Sequence, residues 1–208
     1  MNDQIHFLFI VFEIIGTIAF TISGALLAVE KKMDILGVIL LGIVTSFGGG
    51  ILRDIIIGVN PPSIFLKPIY VLISCLASII VFIFCYRKVK LPHKTLLLIM
   101  DSIGLGIFAA LGTNTAFIYG YNSVFIGTSL GVITAVGGGV IRDILAGVKP
   151  QILVRHFYAC AAIIGAIVCF VLSKYLNSNI AIIISMAITF TLRMLAAHFH
   201  WNLPKISR

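Results

Sequence analysis

The sequence predicts an all-α integral membrane protein with seven transmembrane helices, built from two inverted three-helix repeats and one extra C-terminal helix. Composition is the first reason: the chain is 60% hydrophobic and 11% charged, whereas soluble domains carry about 25% charged residues. The second reason is an internal repeat: a glycine-rich stretch near residue 48 recurs near residue 137. Apolar segments account for nearly all 208 residues, so we treat the chain as a single membrane domain.

Seven segments are long enough to cross a membrane, since a spanning helix needs about 20 mostly apolar residues. The first three segments make up the first repeat, residues 8–86, and the next three make up the second, residues 95–173. No Lys or Arg precedes the first segment, so it is predicted to be a retained helix and not a signal peptide. The segments are 8–29, 34–57, 64–86, 95–113, 123–146, 152–173 and 178–199.

The repeat is carried by two similar stretches, SFGGGILRDIIIG at 46–58 and AVGGGVIRDILAG at 135–147, which are 89 positions apart. Twelve of the 21 residues are identical when 41–61 is aligned with 130–150. Because each repeat holds three crossings, the second enters the membrane from the opposite side. In such inverted repeats a pathway forms near the middle of the membrane, often from interrupted helices.

The two glycine triplets predict breaks in the second and fifth helices, because glycine disfavours helix and permits unusual backbone angles. Carbonyl groups freed at a break survive in a membrane only where they are buried in protein or line water. Together with nearby hydroxyls they offer oxygen ligands to a cation. The alternative is that the glycines only let helices cross closely. The predicted pathway residues are Gly48, Gly49, Gly50, Gly137, Gly138, Gly139, Thr45, Ser46 and Thr134.

Four acidic residues lie inside the apolar segments, and they form two repeat-related pairs: Glu13 with Asp101, and Asp54 with Asp143. A charge at bilayer depth costs at least about 2.5–3.5 kcal/mol on insertion scales, so it normally faces the bundle interior and a partner.

An arginine precedes the aspartate in each motif, at Arg53 and Arg142. Adjacent helical residues point in different directions, so we expect ion pairs between the repeats. Arg53 is expected to pair with Asp143 or Asp101, and Arg142 with Asp54 or Glu13. The alternative is a purely structural set of salt bridges.

Basic residues cluster at segment ends, chiefly in 86–94, 30–32 and the tail 203–208. Lys and Arg are enriched in cytoplasmic loops, so the amino terminus is predicted outside and the carboxyl terminus inside the inner (plasma) membrane of the cell. The net charge of +8 is then a topology signal and does not indicate nucleic acid binding.

The sequence carries no recognisable enzymatic or metal-binding motif. The four cysteines show no Cys-x-x-Cys spacing, the five histidines are scattered, and no His-Glu-x-x-His or Gly-x-Ser-x-Gly motif occurs. The sequence therefore predicts no enzyme, no cofactor and no metal site beyond a permeant cation.

Two copies of Gly-Gly-Gly-x-x-Arg-Asp-x-x-x-Gly, with seven helices of this topology, resemble the bacterial branch of the trimeric intracellular cation channel family, also described as glycine-transporter-like or UPF0126 proteins. The resemblance implies a homotrimer in which each protomer has a pore between its two repeats for monovalent cations, chiefly potassium. The Lys-Glu-Val signature of the eukaryotic branch does not occur in the second helix, so lipid gating is not transferred. A secondary transporter of a small solute, such as an amino acid, is the alternative.

Overall fold

The structure, a computed structural model, describes residues 3–87, 93–154 and 157–201. The regular secondary structure of these residues is helical. The helices are α1 (Asp3–Glu30), α2 (Ile35–Ile56), α3 (Pro68–Tyr86), α4 (His93–Ile118), α5 (Val124–Leu145), α6 (Gln151–Val154), α7 (Tyr158–Leu172) and α8 (Ser178–His198), with a short 3-10 helix at Ser63–Leu66 before α3.

Six of the described helices, namely α1, α2, α3, α4, α5 and α8, are long and apolar enough to cross a membrane. The apolar helix α7 is shorter, with 15 residues. The all-helical membrane fold with six to seven apolar helices is therefore confirmed. Much of the predicted topology signal, at 88–92 and 203–208, lies outside the described residues, so the orientation stays a prediction.

The sixth predicted helix, 152–173, is divided in the structure. Gln151–Val154 forms a single turn, and α7 begins at Tyr158 directly after Phe157, whose backbone has a φ of +67°. The third predicted helix, 64–86, likewise opens with the 3-10 helix Ser63–Leu66 before Pro68 starts α3. Proline fits the first turn of a helix because the N–H that it lacks would be unpaired there.

The predicted breaks at the glycine triplets are wrong. Helix α2 runs without interruption through 48–50, and α5 runs through 137–139. A continuous helix satisfies its own N–H and C=O groups, which hydrocarbon cannot do. Both helices end further on, where Gly58 and Gly147 adopt φ values of +79° and +66°, a conformation that glycine adopts without steric cost.

Packing between the helices divides the chain into two related halves. Helices α1, α2 and α3 pack together, as do α4, α5 and α7, while α2 contacts α5 and α1 contacts α4 across the boundary. Helix α8 packs against α4 and α7. The repeat-related Phe20 and Phe108 meet at this boundary with ring centroids 5.2 Å apart. The four helices α1, α2, α4 and α5 therefore converge at this boundary.

Candidate functional site

The crossing of α2 and α5 places two backbones in direct contact. A β-carbon built at Gly49 would overlap the carbonyl oxygen of Thr134, and one built at Gly138 would overlap the carbonyl oxygen of Thr45. A β-carbon at Gly137 would lie 3.1 Å from the Cα atom of Gly49. Small residues allow this approach, so the glycines serve close helix packing.

The remaining glycines of the triplets differ in how much space surrounds them. A β-carbon at Gly48 would lie 2.9 Å from Ile141 Cδ1, and one at Gly139 would lie 3.0 Å from the Tyr158 hydroxyl. At Gly50 the nearest atom would be Arg53 Nη2, 3.8 Å away. Gly50 is therefore the position in the first triplet that has room for a methyl group.

Thr45 and Thr134, a repeat-related pair, sit one turn before the triplets. Their hydroxyls donate to backbone carbonyls four residues earlier, Leu41 O at 2.5 Å and Leu130 O at 2.6 Å. Their side chains fill the space left by glycines of the neighbouring helices. With the hydroxyl proton committed to the backbone, each oxygen keeps its lone pairs.

In the first half, Arg53 forms an ion pair with the aspartate that directly follows it. Arg53 Nε and Nη2 donate to Asp54 Oδ1 at 2.9 and 2.7 Å, and the Ser63 backbone N–H donates to Asp54 Oδ2 at 2.8 Å. Asp54 thus joins the end of α2 to the short helix that follows it. The Arg53 side chain is 16% exposed, so this pair borders solvent.

The second half repeats the arrangement and extends it. Arg142 Nε donates to Asp143 Oδ1 at 2.9 Å, and the Gln151 backbone N–H donates to Asp143 Oδ2 at 2.8 Å. Arg142 Nη1 also donates to Asp101 Oδ1 at 2.5 Å and to Ser23 Oγ at 2.6 Å. The arginine and both aspartates are no more than 2% exposed in their side chains, so this cluster is closed.

The predicted ion pairs between the repeats are wrong. Each arginine pairs with the aspartate that follows it, and the additional partner of Arg142, Asp101, belongs to its own half. Arg53 and Arg142 lie in the last turns of their helices, where the carbonyl ends favour a cation. At this position the flexible arginine side chain reaches the aspartate that follows it, whose other oxygen accepts a backbone hydrogen bond from the segment after the helix. Ser23 of the first half joins the cluster across the boundary: it accepts a hydrogen bond from Arg142 Nη1 at 2.6 Å and donates one to Asp101 Oδ1 at 3.3 Å.

Glu13, the counterpart of Asp101, is bound differently. Lys67 Nζ lies 3.0 Å from Glu13 Oε2, with side-chain exposures of 47% and 35%. Lys67 also stands 5.4 Å from the ring centroid of Tyr70. In the second half, the Arg193 guanidinium from α8 lies 5.0 Å from the ring centroid of Tyr158. A cationic side chain thus lies near Tyr70 in the first half and near Tyr158, the corresponding residue, in the second. The two cations come from unrelated elements.

A cavity of about 50 Å³ opens beside Glu13, at the end of the molecule where α2 finishes. It brings together six of the predicted site residues, seven more residues from the first half, and Phe108 of the second. The predicted residues in its lining are Glu13, Ser46, Gly50, Arg53, Asp54 and Thr134, joined by Thr17, Lys67 and Tyr70 among others. The residues Arg142, Asp143 and Asp101 instead form the closed cluster.

Sequence reasoning missed Ser23, Thr17 and the roles of Lys67 and Arg193. Arg193 carried a usable signal, because it is a charge in the middle of an apolar segment. It is 2% exposed and approaches Gln151 Oε1 at 3.4 Å. Ser23 carried no such signal, since a hydroxyl in an apolar helix usually bonds its own backbone.

The glycine transporter family model matches the chain twice, at residues 10–86 and 98–174. The UPF0126 inner membrane protein YadS of Escherichia coli strain K12 is 37% identical over 196 residues, covering 92% of this chain and 93% of YadS. The TRIC trimeric intracellular cation channel orthologue from Rhodobacter sphaeroides superposes with a TM-score of 0.86 at 34% identity, covering 93% of this chain and 98% of that one.

A second solved structure, which describes the basis for conductance through TRIC cation channels, has a TM-score of 0.84 and 43% identity. It covers 95% of this chain and 97% of that one. The internal repeat seen in the sequence is also the unit that the family model matches twice. Because these matches extend along most of its length, the chain belongs to the UPF0126 glycine transporter family of multi-pass membrane proteins.

Proposed function

We propose that the protein is a monovalent cation channel that prefers potassium, with one pathway in each protomer between its two halves. The observation that carries this proposal is the cavity beside Glu13, which is lined by oxygen groups and by side chains from both halves. The likeness to structures of TRIC cation channels at 43% and 34% identity supports it. Channels of that kind are not enzymes, and no cofactor is invoked.

The charges in the pathway are arranged to tolerate a cation. Arg53 and Arg142 would repel a cation if they were uncompensated, but each is bound to at least one aspartate. Ser46 of the first half and Thr134 of the second, both hydroxyl residues, line the same cavity as Glu13. Carboxylate and hydroxyl oxygens can replace part of a cation's hydration shell.

The glycine triplets take a different role from the one their sequence suggested. Gly49 and Gly138 allow the backbones of α2 and α5 to touch, so the pathway passes beside this crossing. The backbone carbonyls of the two triplets stay in the hydrogen bonds of their own helices. Gly50 lines the cavity and leaves room for an ion. We propose that the triplets set the shape of the pathway and do not ligate the cation.

The proposal includes inverted repeats, a homotrimer and an outside amino terminus. In that orientation the end of α2 faces outward, so the cavity is the external vestibule. The closed cluster around Arg142 then lies toward the cytoplasm. The external half admits solvent to Glu13 while the Arg142 cluster occludes the internal half.

A secondary transporter of a small solute is the second candidate. One specific observation favours it: the chain is open beside Glu13 and closed around Arg142, an arrangement that alternating access also produces.

Liposome flux tests the proposal. Purified protein is reconstituted with internal potassium, and potassium efflux is followed on dilution into choline, with empty liposomes as the control. A channel releases potassium down its gradient with no second solute present. Efflux that requires an amino acid on the opposite side would favour the transporter.

A further inference from the structure

We propose that the cavity beside Glu13 is a resting site for one monovalent cation, and that this site has no counterpart at the related position of the second half. The inference rests on the proposed channel function and states where within the pathway the ion is held. It follows from four features of the cavity: its oxygen donors, its size, the state of its charges, and the residues that replace it in the second half.

The hydroxyls around the cavity are arranged as oxygen donors to a cation. Ser46 Oγ donates one hydrogen bond that is shared between the carbonyl oxygens of Gly42 and Ile43, both at 3.0 Å. Thr134 Oγ1 donates a hydrogen bond to Leu130 O at 2.6 Å. Both side chains line the cavity. A hydroxyl whose proton is already committed keeps its lone pairs, and these suit a cation better than an anion.

Two further side chains on one face of α1 complete the set. Glu13 and Thr17 are four residues apart and both line the cavity, as expected for neighbours on a helix. Thr17 is 1% exposed, so its hydroxyl is held within the protein. The site thus combines one carboxylate with three hydroxyls, which are hard oxygen ligands.

The cavity has a volume of about 50 Å³. Since about 10–15 Å³ of such volume holds one water molecule, the cavity has room for one monovalent cation together with a few waters. The protein oxygens then complete the shell of ligands around the ion.

Glu13 is the carboxylate of this cavity that is held by an exposed partner, since Lys67 Nζ donates to Oε2 at 3.0 Å and to Oε1 at 3.4 Å. Both oxygens of Asp54 are taken, one by Arg53 and one by the Ser63 N–H. Glu13 is paired with Lys67, but both side chains are more than a third exposed. Exposed pairs of this kind contribute little, about 0–1 kcal/mol. A potassium ion can therefore take the place of the Lys67 ammonium.

The equivalent positions of the second half cannot form such a site. By the repeat alignment, Thr17 corresponds to Leu105 and Ser46 to Ala135, which replaces two oxygen ligands by apolar groups. Glu13 corresponds to Asp101, whose carboxylate is bound by the fully buried Arg142. The two halves are related in fold, but of these two corresponding positions the one beside Glu13 offers oxygen ligands to a cation.

Binding is tested on the purified full-length protein in detergent. Melting temperature is measured over a series of potassium concentrations, with choline keeping the ionic strength constant. We expect potassium to raise the melting temperature of the wild type, since a ligand that binds the folded state stabilises it. Glu13→Gln should raise the potassium concentration for half the effect by at least about tenfold, because contacts to a charged partner exceed neutral ones.

Ser46→Ala is the second variant and should produce a smaller shift in the same direction. Thr113→Val is the matched control: it removes a buried hydroxyl that donates to Ala109 O away from the cavity, and its potassium dependence should equal that of the wild type. Rubidium soaked into crystals should give an anomalous peak beside Glu13.

A rubidium peak in the second half, or none beside Glu13, would overturn the inference, as would an unchanged potassium dependence in both Glu13→Gln and Ser46→Ala. The outcomes separate this inference from the proposed function. Wild-type potassium flux without a site beside Glu13 overturns the inference alone, whereas absence of wild-type flux overturns the channel proposal.

Discussion

Gly49 of α2 lies against the backbone carbonyl of Thr134 in α5, so closely that a β-carbon at position 49 would overlap the carbonyl oxygen. The repeat-related contact joins Gly138 to the carbonyl of Thr45. These two contacts fix the distance between the helices on either side of the boundary between halves. The doubled glycine motif therefore encodes the crossing of two continuous helices.

Alanine at position 49 is predicted to destabilise the protein. The new methyl group must displace the α5 backbone, which side-chain movement cannot relieve, and overpacking of this kind costs about 1–3 kcal/mol. Gly50→Ala is the matched control, since its methyl group meets only Arg53 Nη2 at 3.8 Å and alanine favours helix by about 1 kcal/mol. Thermal unfolding in detergent should show a lower melting temperature for Gly49→Ala alone. Equal melting of the two variants would refute the crossing as described.

Asp101→Asn is predicted to destabilise the fold far more than Glu13→Gln, although the two positions correspond in the repeat. Asp101 is bound by Arg142, and both side chains are at most 1% exposed. Removing one member of a buried pair typically costs about 3–5 kcal/mol, because it strands the other charge. The exposed Glu13–Lys67 pair should contribute about 0–1 kcal/mol. Chemical unfolding of the two variants measures the difference, and similar losses would contradict the asymmetry of the halves.

Lys67→Gln is predicted to increase potassium conductance at low salt. Lys67 stands beside Glu13 at the cavity mouth, and removing its charge leaves a more negative potential that concentrates cations. The increase should shrink toward 1 M salt, where the Debye length falls to about 3 Å. Lys67→Arg keeps the charge and serves as the control. A gain that persists unchanged at 1 M salt would exclude an electrostatic origin.

The proposed orientation is tested with single cysteines in a background lacking Cys75, Cys85, Cys160 and Cys169. Asn122→Cys, between α4 and α5, should react with an impermeant thiol reagent added to intact cells. A cysteine replacing Lys31, between α1 and α2, should react only after the membrane is opened. The cysteine-free background is the control. Labelling in the reverse order would invert the topology and place the cavity on the cytoplasmic side.

Composition and periodic apolar segments were sufficient to predict the helical membrane fold, because a spanning helix must be apolar along about 20 residues. The repeat predicted which residues correspond. It could not predict the division of 152–173, which depends on the left-handed backbone at Phe157. That conformation is rare outside glycine and leaves no mark in hydropathy.

The glycine triplets and the arginines show where local reasoning failed. Glycine disfavours helix in isolation, but in a membrane the unpaired backbone of a break costs more than glycine's weak propensity. Adjacent residues such as Arg53 and Asp54 point apart at their α-carbons, yet the length of arginine lets the guanidinium reach the neighbouring carboxylate. Six predicted residues do meet at the cavity, because intramembrane carboxylates and hydroxyls need a polar surrounding.

Single-channel recording in a planar bilayer tests the central claim most directly. Purified protein is incorporated between two potassium chloride solutions of unequal concentration, and protein-free bilayers are the control. We predict discrete current steps whose reversal potential lies close to the equilibrium potential of potassium, with smaller steps when choline replaces potassium. A reversal potential near that of chloride, or the absence of discrete currents from protein that is active in potassium flux, would contradict a cation channel.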